Sequence, residues 1–303
     1  MGGTNEKAQN INKENFQILK KTEYPNVCVV GEVLNTETNE YYYHFQSLYA
    51  IDSKENEGAE VLKQSSMSGL NHSGRLMKHD FEEDHQLCFQ NFVLNLYFEY
   101  SDRSLTRIMR ELRSNFNQLS EDHAWIILND VTEHIKSLDG IGSFHGDLKP
   151  DYIFFSPGMR EVKVINPLSF TKFSMGYNIL LGESKTNYTT VLSPEYLAFL
   201  KTKTFYPQTD NIKSDMFSLG LIVLSLLVKV DWEIFYDFQK CTVNLNEIKI
   251  NLAKVIKSGY SEELFYILDQ TLKRDPIDRP HINEFLKMTR FKYKTIMKKV
   301  QFH

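Results

Sequence analysis

Through the first hundred residues the apolar positions come in short runs broken by polar turns. Phe16 to Leu19 onward, Val27 to Leu34 and Tyr41 to Tyr49 read as three strands, with Thr36-Glu37-Thr38-Asn39 as the turn between the last two. Arg75 to Phe81 and Phe92 to Tyr100 predict two more strands. Between them, residues 52–68 carry Glu57, Glu60, Val61, Leu62 and Met67 in a weak helical pattern. Residues 1–13 are polar and show no period, which predicts a loose tail.

Beyond Tyr100 the period lengthens. Ser120 suits a helix N-cap, and Ala124, Ile127, Leu128, Val131, Ile135 and Leu138 behind it recur on one helical face. A second strong helix spans Ser214 to Val230, and a third covers Glu262 to Leu272. Arg274-Asp275-Pro276 and Arg279-Pro280 then break the chain. Strands first and helices second is an α+β layout.

Composition narrows the class without changing that layout. The chain has 303 residues, 42% hydrophobic and 24% charged, which suits a globular protein with one large or two smaller cores. A net charge of -4 speaks for neither a nucleic acid nor an acidic partner. Cys28, Cys88 and Cys241 form no metal-ligand spacing and no even disulfide set, so a reducing, intracellular and cytoplasmic setting is expected. Leu219 to Val230, the most apolar stretch, has the length of a buried helix, and no membrane span is expected. The start Met1-Gly2-Gly3-Thr4-Asn5-Glu6 departs from a myristoylation site at Glu6. Arg290, Lys292, Lys294, Lys298 and Lys299 make a basic end, read here as a solvated helix end or tail over residues 291–303, with docking to acidic lipid or protein as the alternative.

Chemistry enters at His145-Gly146-Asp147-Leu148-Lys149-Pro150-Asp151-Tyr152. This stretch resembles the protein-kinase catalytic loop H-R-D-L-K-P-x-N, in which the Asp takes the substrate hydroxyl proton. Other pieces follow in the family's order. Phe98-Glu99-Tyr100 resembles the hinge, with Phe98 as gatekeeper, and Ser193-Pro194-Glu195 resembles A-P-E. Asp215-Met216-Phe217-Ser218-Leu219-Gly220 is similar to D-x-W-S-x-G, and Arg274 through Pro280 is similar to R-D-P-x-x-R-P. The resemblance covers roughly residues 14–290. It implies a bilobal protein-kinase-like fold, with a small, mainly antiparallel β N-lobe over about 14–99 and a larger helical C-lobe over about 100–290. It also implies structural roles: Glu195 pairs with Arg279, and Asp215 and His145 hold the catalytic loop.

The departures fall on the chemistry. The loop Arg is Gly146, and the magnesium-binding Asn is Tyr152. Fourteen residues beyond Tyr152, where D-F-G should stand, the chain reads Asn166-Pro167-Leu168. A neutral amide and a phenol of pKa ~10 replace the groups that hold a hard cation. The turn near Thr22 to Val27 has no glycine for close phosphate approach, and Pro25 removes a donor. On the third strand, Tyr41 to Gln46 offers only His44 or Gln46 where the family has its phosphate-clamping Lys, and Tyr42 or His44 where a small Ala lies against adenine. Glu57 or Glu60 would match the Glu that pairs with that Lys. Thr186, Tyr188, Thr189 and Thr190 read as an exposed polar loop.

The reading that results is a catalytically impaired kinase-like domain, a pseudokinase that acts as a protein-binding scaffold or allosteric regulator. Its expected partners are other proteins, an active kinase or its substrate among them. Asp147 and Lys149 are retained catalytic positions read as vestigial; no metal site is expected at Tyr152 and Asn166. Phe98, Glu99, Tyr100 and His44 would meet a nucleotide if one binds. Two alternatives stand beside it: a weakly or fully active Ser/Thr protein kinase using ATP and Mg2+, and a nucleotide-binding switch without metal.

Overall fold

A computed structural model of the chain describes residues 15–24, 28–49, 67–84, 91–115, 117–165, 177, 181, 190–205 and 207–301. The chain divides into two units, Met1–Tyr100 and Ser101–His303.

The first unit is a five-stranded antiparallel sheet built from β1 (Phe16–Tyr24), β2 (Cys28–Asn35), β3 (Glu40–Tyr49), β4 (Leu76–Asp84) and β5 (Asn91–Glu99), in the order β1-β2-β3-β5-β4. All five strands lie where the short apolar runs predict them. Asn35 ends β2 by turning its side-chain oxygen onto the Glu37 and Thr38 amides, an Asx turn that sets the β2–β3 hairpin. The expected helix over residues 52–68 falls almost wholly outside the described residues.

Side chains alternate across a sheet, so the register sorts them into two sets. Tyr43 pairs with Phe98 and Phe45 with Leu96; these residues share one face, on which the Phe45 and Phe98 rings meet edge to face at 5.5 Å. Tyr42, His44 and Gln46 point to the other face with Asn95 and Tyr97. There Phe16 stacks on Tyr97 at 4.7 Å, and Asp80 accepts hydrogen bonds from Asn95 Nδ2 and the Tyr97 hydroxyl. Asn95 Oδ1 in turn accepts from His44 Nε2 at 2.9 Å and Gln46 Nε2 at 3.0 Å. A buried carboxylate is tolerated on this face because it is fully engaged.

The second unit is helical, and together the two units bear out the α+β layout. Its helices are α1 (Leu105–Ser114), α2 (Glu121–Gly140), α3 (Pro194–Lys201), α4 (Asn211–Val228), α5 (Leu245–Lys257), α6 (Glu262–Thr271) and α7 (Ile282–Gln301). Two short hairpins accompany them, β6 (Ile153–Phe155) with β7 (Val162–Val164) and β8 (Tyr236–Asp237) with β9 (Thr242–Val243). Ser104, Ser120, Asp210, Asn244 and Ser261 cap their helices through side-chain oxygens, each satisfying an amide in the first turn. Lys229 stops α4 in the left-handed conformation.

The core runs along α4, whose residues Met216, Phe217, Leu219 and Leu221 to Leu224 are all buried against α2, α6 and α7. By length and composition α4 could cross a membrane, but 78% of it is buried inside this unit. Gly220 permits that packing, since a Cβ there would come 2.9 Å from Thr271 Cγ2 on α6. The basic end, read as a solvated helix end or tail over 291–303, is helical to Gln301 and partly packed. Helix α7 continues through position 291 to Gln301, and Ile296 is buried in the core. Every third or fourth residue there is apolar, enough to pull a lysine-rich segment onto α2.

Candidate functional site

The loop that follows α2 is held by the helix it faces. Asp215, in the second turn of α4, accepts the backbone N–H of His145 at 2.7 Å and that of Gly146 at 2.9 Å. Burial pushes the Asp215 carboxyl up to about 7, against the pull of those two donors. Gly146 sits at φ +73°, a left-handed backbone that glycine adopts without the steric penalty an arginine would meet.

His145 completes the fold of the loop. Its Nδ1 accepts the Asp147 N–H at 3.3 Å, so the proton sits on Nε2, which donates to the Ile165 carbonyl at 3.1 Å. Burial depresses its pKa to about 3, with the neighbouring His134 adding to the effect. Above the unfolded value of about 6.5 the ring is neutral in both states. Below it only the unfolded chain takes up a proton, so this contribution to stability is lost as pH falls from about 6.5 toward 3. The His145 ring nitrogens are therefore expected to show constant 15N shifts from about pH 7.5 to 5. A titration midpoint above pH ~5 would refute the neutral buried ring.

Asp147, Lys149 and Tyr152 form a closed group. Lys149 Nζ lies 3.2 Å from Asp147 Oδ2 and 4.3 Å from the centre of the Tyr152 ring. All three side chains are buried. Burial pushes the Asp147 carboxyl up, while Lys149 beside it pulls it back. Tyr152 is clasped through its backbone: its N–H donates to the Lys149 carbonyl at 3.0 Å and its carbonyl accepts from Ile165 N at 2.8 Å. A buried phenol thus stands where the family has an amide ligand for Mg2+. Asp147, the carboxylate of this group, is already neutralised by an ammonium. At the Tyr152 position a phenol does not suit a hard divalent cation, which wants oxygen ligands carrying negative charge. Among the described residues no three His, Cys, Asp or Glu side chains gather as a metal site.

The residues read as scaffold are concentrated around Arg279. All five of its N–H donors are used: two reach Glu195 at 2.8 and 2.7 Å, and the others reach the carbonyls of Lys213, Arg274 and Lys273. Its guanidinium also lies over the Phe217 ring at 4.8 Å. This ties α3, α4 and the segment before α7 at one point.

In the first unit, the residues expected to meet a nucleotide do not share a face. Phe98 lies with Tyr43 and Phe45, whereas His44 points to the opposite side and is bonded to Asn95. The assignment of His44 beside Phe98 is therefore corrected. The two positions two apart on the Phe98 face, where a small residue and a lysine would be wanted, hold Tyr43 and Phe45, both buried. Sequence reading missed this pair because a one-residue slip exchanges every side chain between faces. No signal within the third strand reveals it, since the register is set by the pairing with the strand that carries Phe98. At the hinge positions, the Glu99 carboxylate accepts the Arg75 N–H at 2.8 Å, and Tyr100 packs on Tyr43 at 4.9 Å and Tyr41 at 5.6 Å.

Asn166, Pro167, Pro25, Glu57, Glu60, Thr186, Tyr188 and Thr189 lie outside the described residues. Thr190, expected on an exposed loop, is buried instead.

The model for the protein kinase domain matches residues 3–291. The chain is 24% identical over 234 residues to the eIF-2-alpha kinase GCN2 of Arabidopsis thaliana, covering 74% of the chain and 18% of that relative. It is 23% identical over 208 residues to a probable serine/threonine-protein kinase nek2 of Dictyostelium discoideum, covering 67% and 46%. A Wee1-like protein kinase of Arabidopsis thaliana is 23% identical over 198 residues, covering 65% and 35%. The chain thus spans less than half the length of each of these relatives.

Proposed function

Since the chain belongs to the protein kinase family, we propose that it is a catalytically impaired member that works by binding other proteins. The observation that carries this reading is Tyr152: a buried aromatic ring beneath Lys149 occupies the position where the family keeps a metal ligand. Tyr43 and Phe45 on the Phe98 face support it, because neither can neutralise phosphate.

Magnitudes argue the same way. Phosphoryl transfer is positioning and charge neutralisation, and removing one stabiliser of transition-state charge costs about 100- to 1,000-fold. Losing two, if the factors multiplied, would bring a typical kinase rate of about 1 to 100 per second to roughly 40 turnovers per hour at most and to about one in several days at least. The reading carries with it partners that are proteins, an active kinase or its substrate among them. It needs neither ATP nor Mg2+ as cofactor, and its setting is intracellular.

A second reading, weak Ser/Thr kinase activity as the names of some relatives suggest, draws on the retained Asp147 and Lys149. A thermal shift series with ATP and ADP, each with and without Mg2+, separates them. Saturation at 100 times Kd would stabilise the fold by about 2.7 kcal/mol. No shift is expected. A Mg2+-dependent shift, followed by phosphate transfer that Asp147→Asn abolishes, would overturn the impaired reading. A shift without Mg2+ would point to a nucleotide switch.

A further inference from the structure

The outer surface of α7 carries a row that the reading above leaves unused. Lys287, Phe291, Lys294 and Lys298 recur at i, i+4, i+7 and i+11, on one helical face. All four are exposed, Phe291 at 73%. Arg290 on the flank is paired with Glu133, and Lys292 with Glu263. Among the described residues, Lys287, Lys294 and Lys298 make no ion pair. Glu284, one turn before Lys287, is the acidic group in the first turn of α7.

Beside the row, α6, α7 and the start of α2 enclose a groove of about 970 Å3. Its floor and walls are Trp125, Tyr266, Ile267, Met288 and Phe291, with Tyr266 54% exposed. Lys287, Glu262, Glu263 and Lys292 also line it, Lys292 being paired with Glu263 and lying 5.9 Å from the centre of the Trp125 ring. Exposed aromatics flanking an apolar groove, beside a row of exposed lysines that make no ion pair among the described residues, are the features of a recognition surface.

We infer that this groove receives an acidic amphipathic helix of a partner protein, its apolar side chains between Tyr266 and Phe291 and its carboxylates along the lysine row. The charge pattern selects this occupant. A second copy laid on the same face would set its lysine row against this one, and like charges at contact repel. A bilayer is flat and cannot fill a groove, and its anionic headgroups would meet the exposed Glu262 beside it. A helix lays one apolar stripe into a groove and presents each flank separately. The inference does not rest on the loss of phosphotransfer, since the groove lies on the helical unit's own surface.

The test uses the full chain carrying Trp232→Phe, so that Trp125 is its one tryptophan. The probe is a labelled 18-residue synthetic helix of about five turns, with leucines on one face, glutamates on one flank and glutamines on the other. Its twin has lysines in place of the glutamates. The acidic peptide is expected to bind at least about tenfold more tightly than its twin, with a change in Trp125 emission and a loss of affinity at high salt. The triple substitution K287E/K294E/K298E, at exposed positions, should reverse the preference, and Phe291→Ala should weaken both peptides. Equal binding of the two peptides, or binding that leaves Trp125 emission unmoved, would overturn the inference. So would lysine-dependent binding to phosphatidylcholine vesicles with about 30% phosphatidylserine in the absence of any peptide preference, or a dimer that Phe291→Ala dissociates.

Discussion

Glu195→Ala is expected to destabilise the helical unit by about 3 to 5 kcal/mol, because it strips the carboxylate from a guanidinium that has no route to water. The Arg279 side chain is 0% exposed, and Glu195 answers two of its five donors. The backbone carbonyls that take the remaining donors cannot rotate to replace a carboxylate. For a unit of this size the unfolding temperature should fall by roughly 6 to 20 °C. Urea denaturation followed by far-UV circular dichroism would measure it. A loss below about 1 kcal/mol would mean that the pair behaves as an exposed ion pair does and that the packing around it relaxes. Arg279→Lys should also be costly, since a lysine offers three donors without the planar fork and cannot stack on Phe217 in the same way.

Asp215→Asn is expected to cost about 1 to 3 kcal/mol although it changes almost no volume. The aspartate presents an oxygen to each of two buried amides, those of His145 and Gly146. An asparagine offers one oxygen, and its amide group would face the second N–H, leaving a buried donor unmade at about 1 to 3 kcal/mol. The loss should be larger at pH 5 than at pH 8. The folded state keeps a proton on Asp215 up to about 7, while the unfolded chain releases it near 3.9, so the wild-type residue loses stabilising effect as pH rises through that window. Amide exchange at His145 and Gly146 supplies a local check. Unchanged protection of both in the Asn variant would remove Asp215 from its role as the anchor of the loop.

Both expectations concern residues that stand out in the sequence as motif positions, and the reason is physical. A bidentate arginine and a carboxylate capping two amides require those residue types, with little tolerance, so the motifs survive as recognisable letters. The retained Asp147 and Lys149 were legible in the same way. What Tyr152 does there was not: its letter announces a missing ligand, but only packing puts its ring under Lys149 and seals the group from water. Gly146 reads in sequence as a lost arginine, yet its positive φ shows a backbone that glycine fits best.

The helices divide similarly. Ser120 and the 3.6-residue period marked α2 plainly, and the strands of the sheet followed from runs of apolar residues between turns. Helices α1, α3 and α5 carry no prediction from the sequence, and α7 only the reading of its basic end as a helix end or tail. In α1 and α7 lysine and arginine fill the exposed faces and thin the apolar signal. Their burial comes from partners far along the chain, as when Ile296 meets the core.

The sequence by itself determined the α+β order, the strand and helix periods, the scaffold motifs and the departures from the family's chemistry, since each of these is set by residue type and local spacing. The tertiary structure alone decided which face of the sheet His44, Tyr43 and Phe45 occupy, because pairing register is a property of two strands and not of one. It also decided that a lysine-rich end becomes a packed helix with a groove at its side. Burial and neighbouring charge are relations between distant residues, and no single stretch of chain contains them.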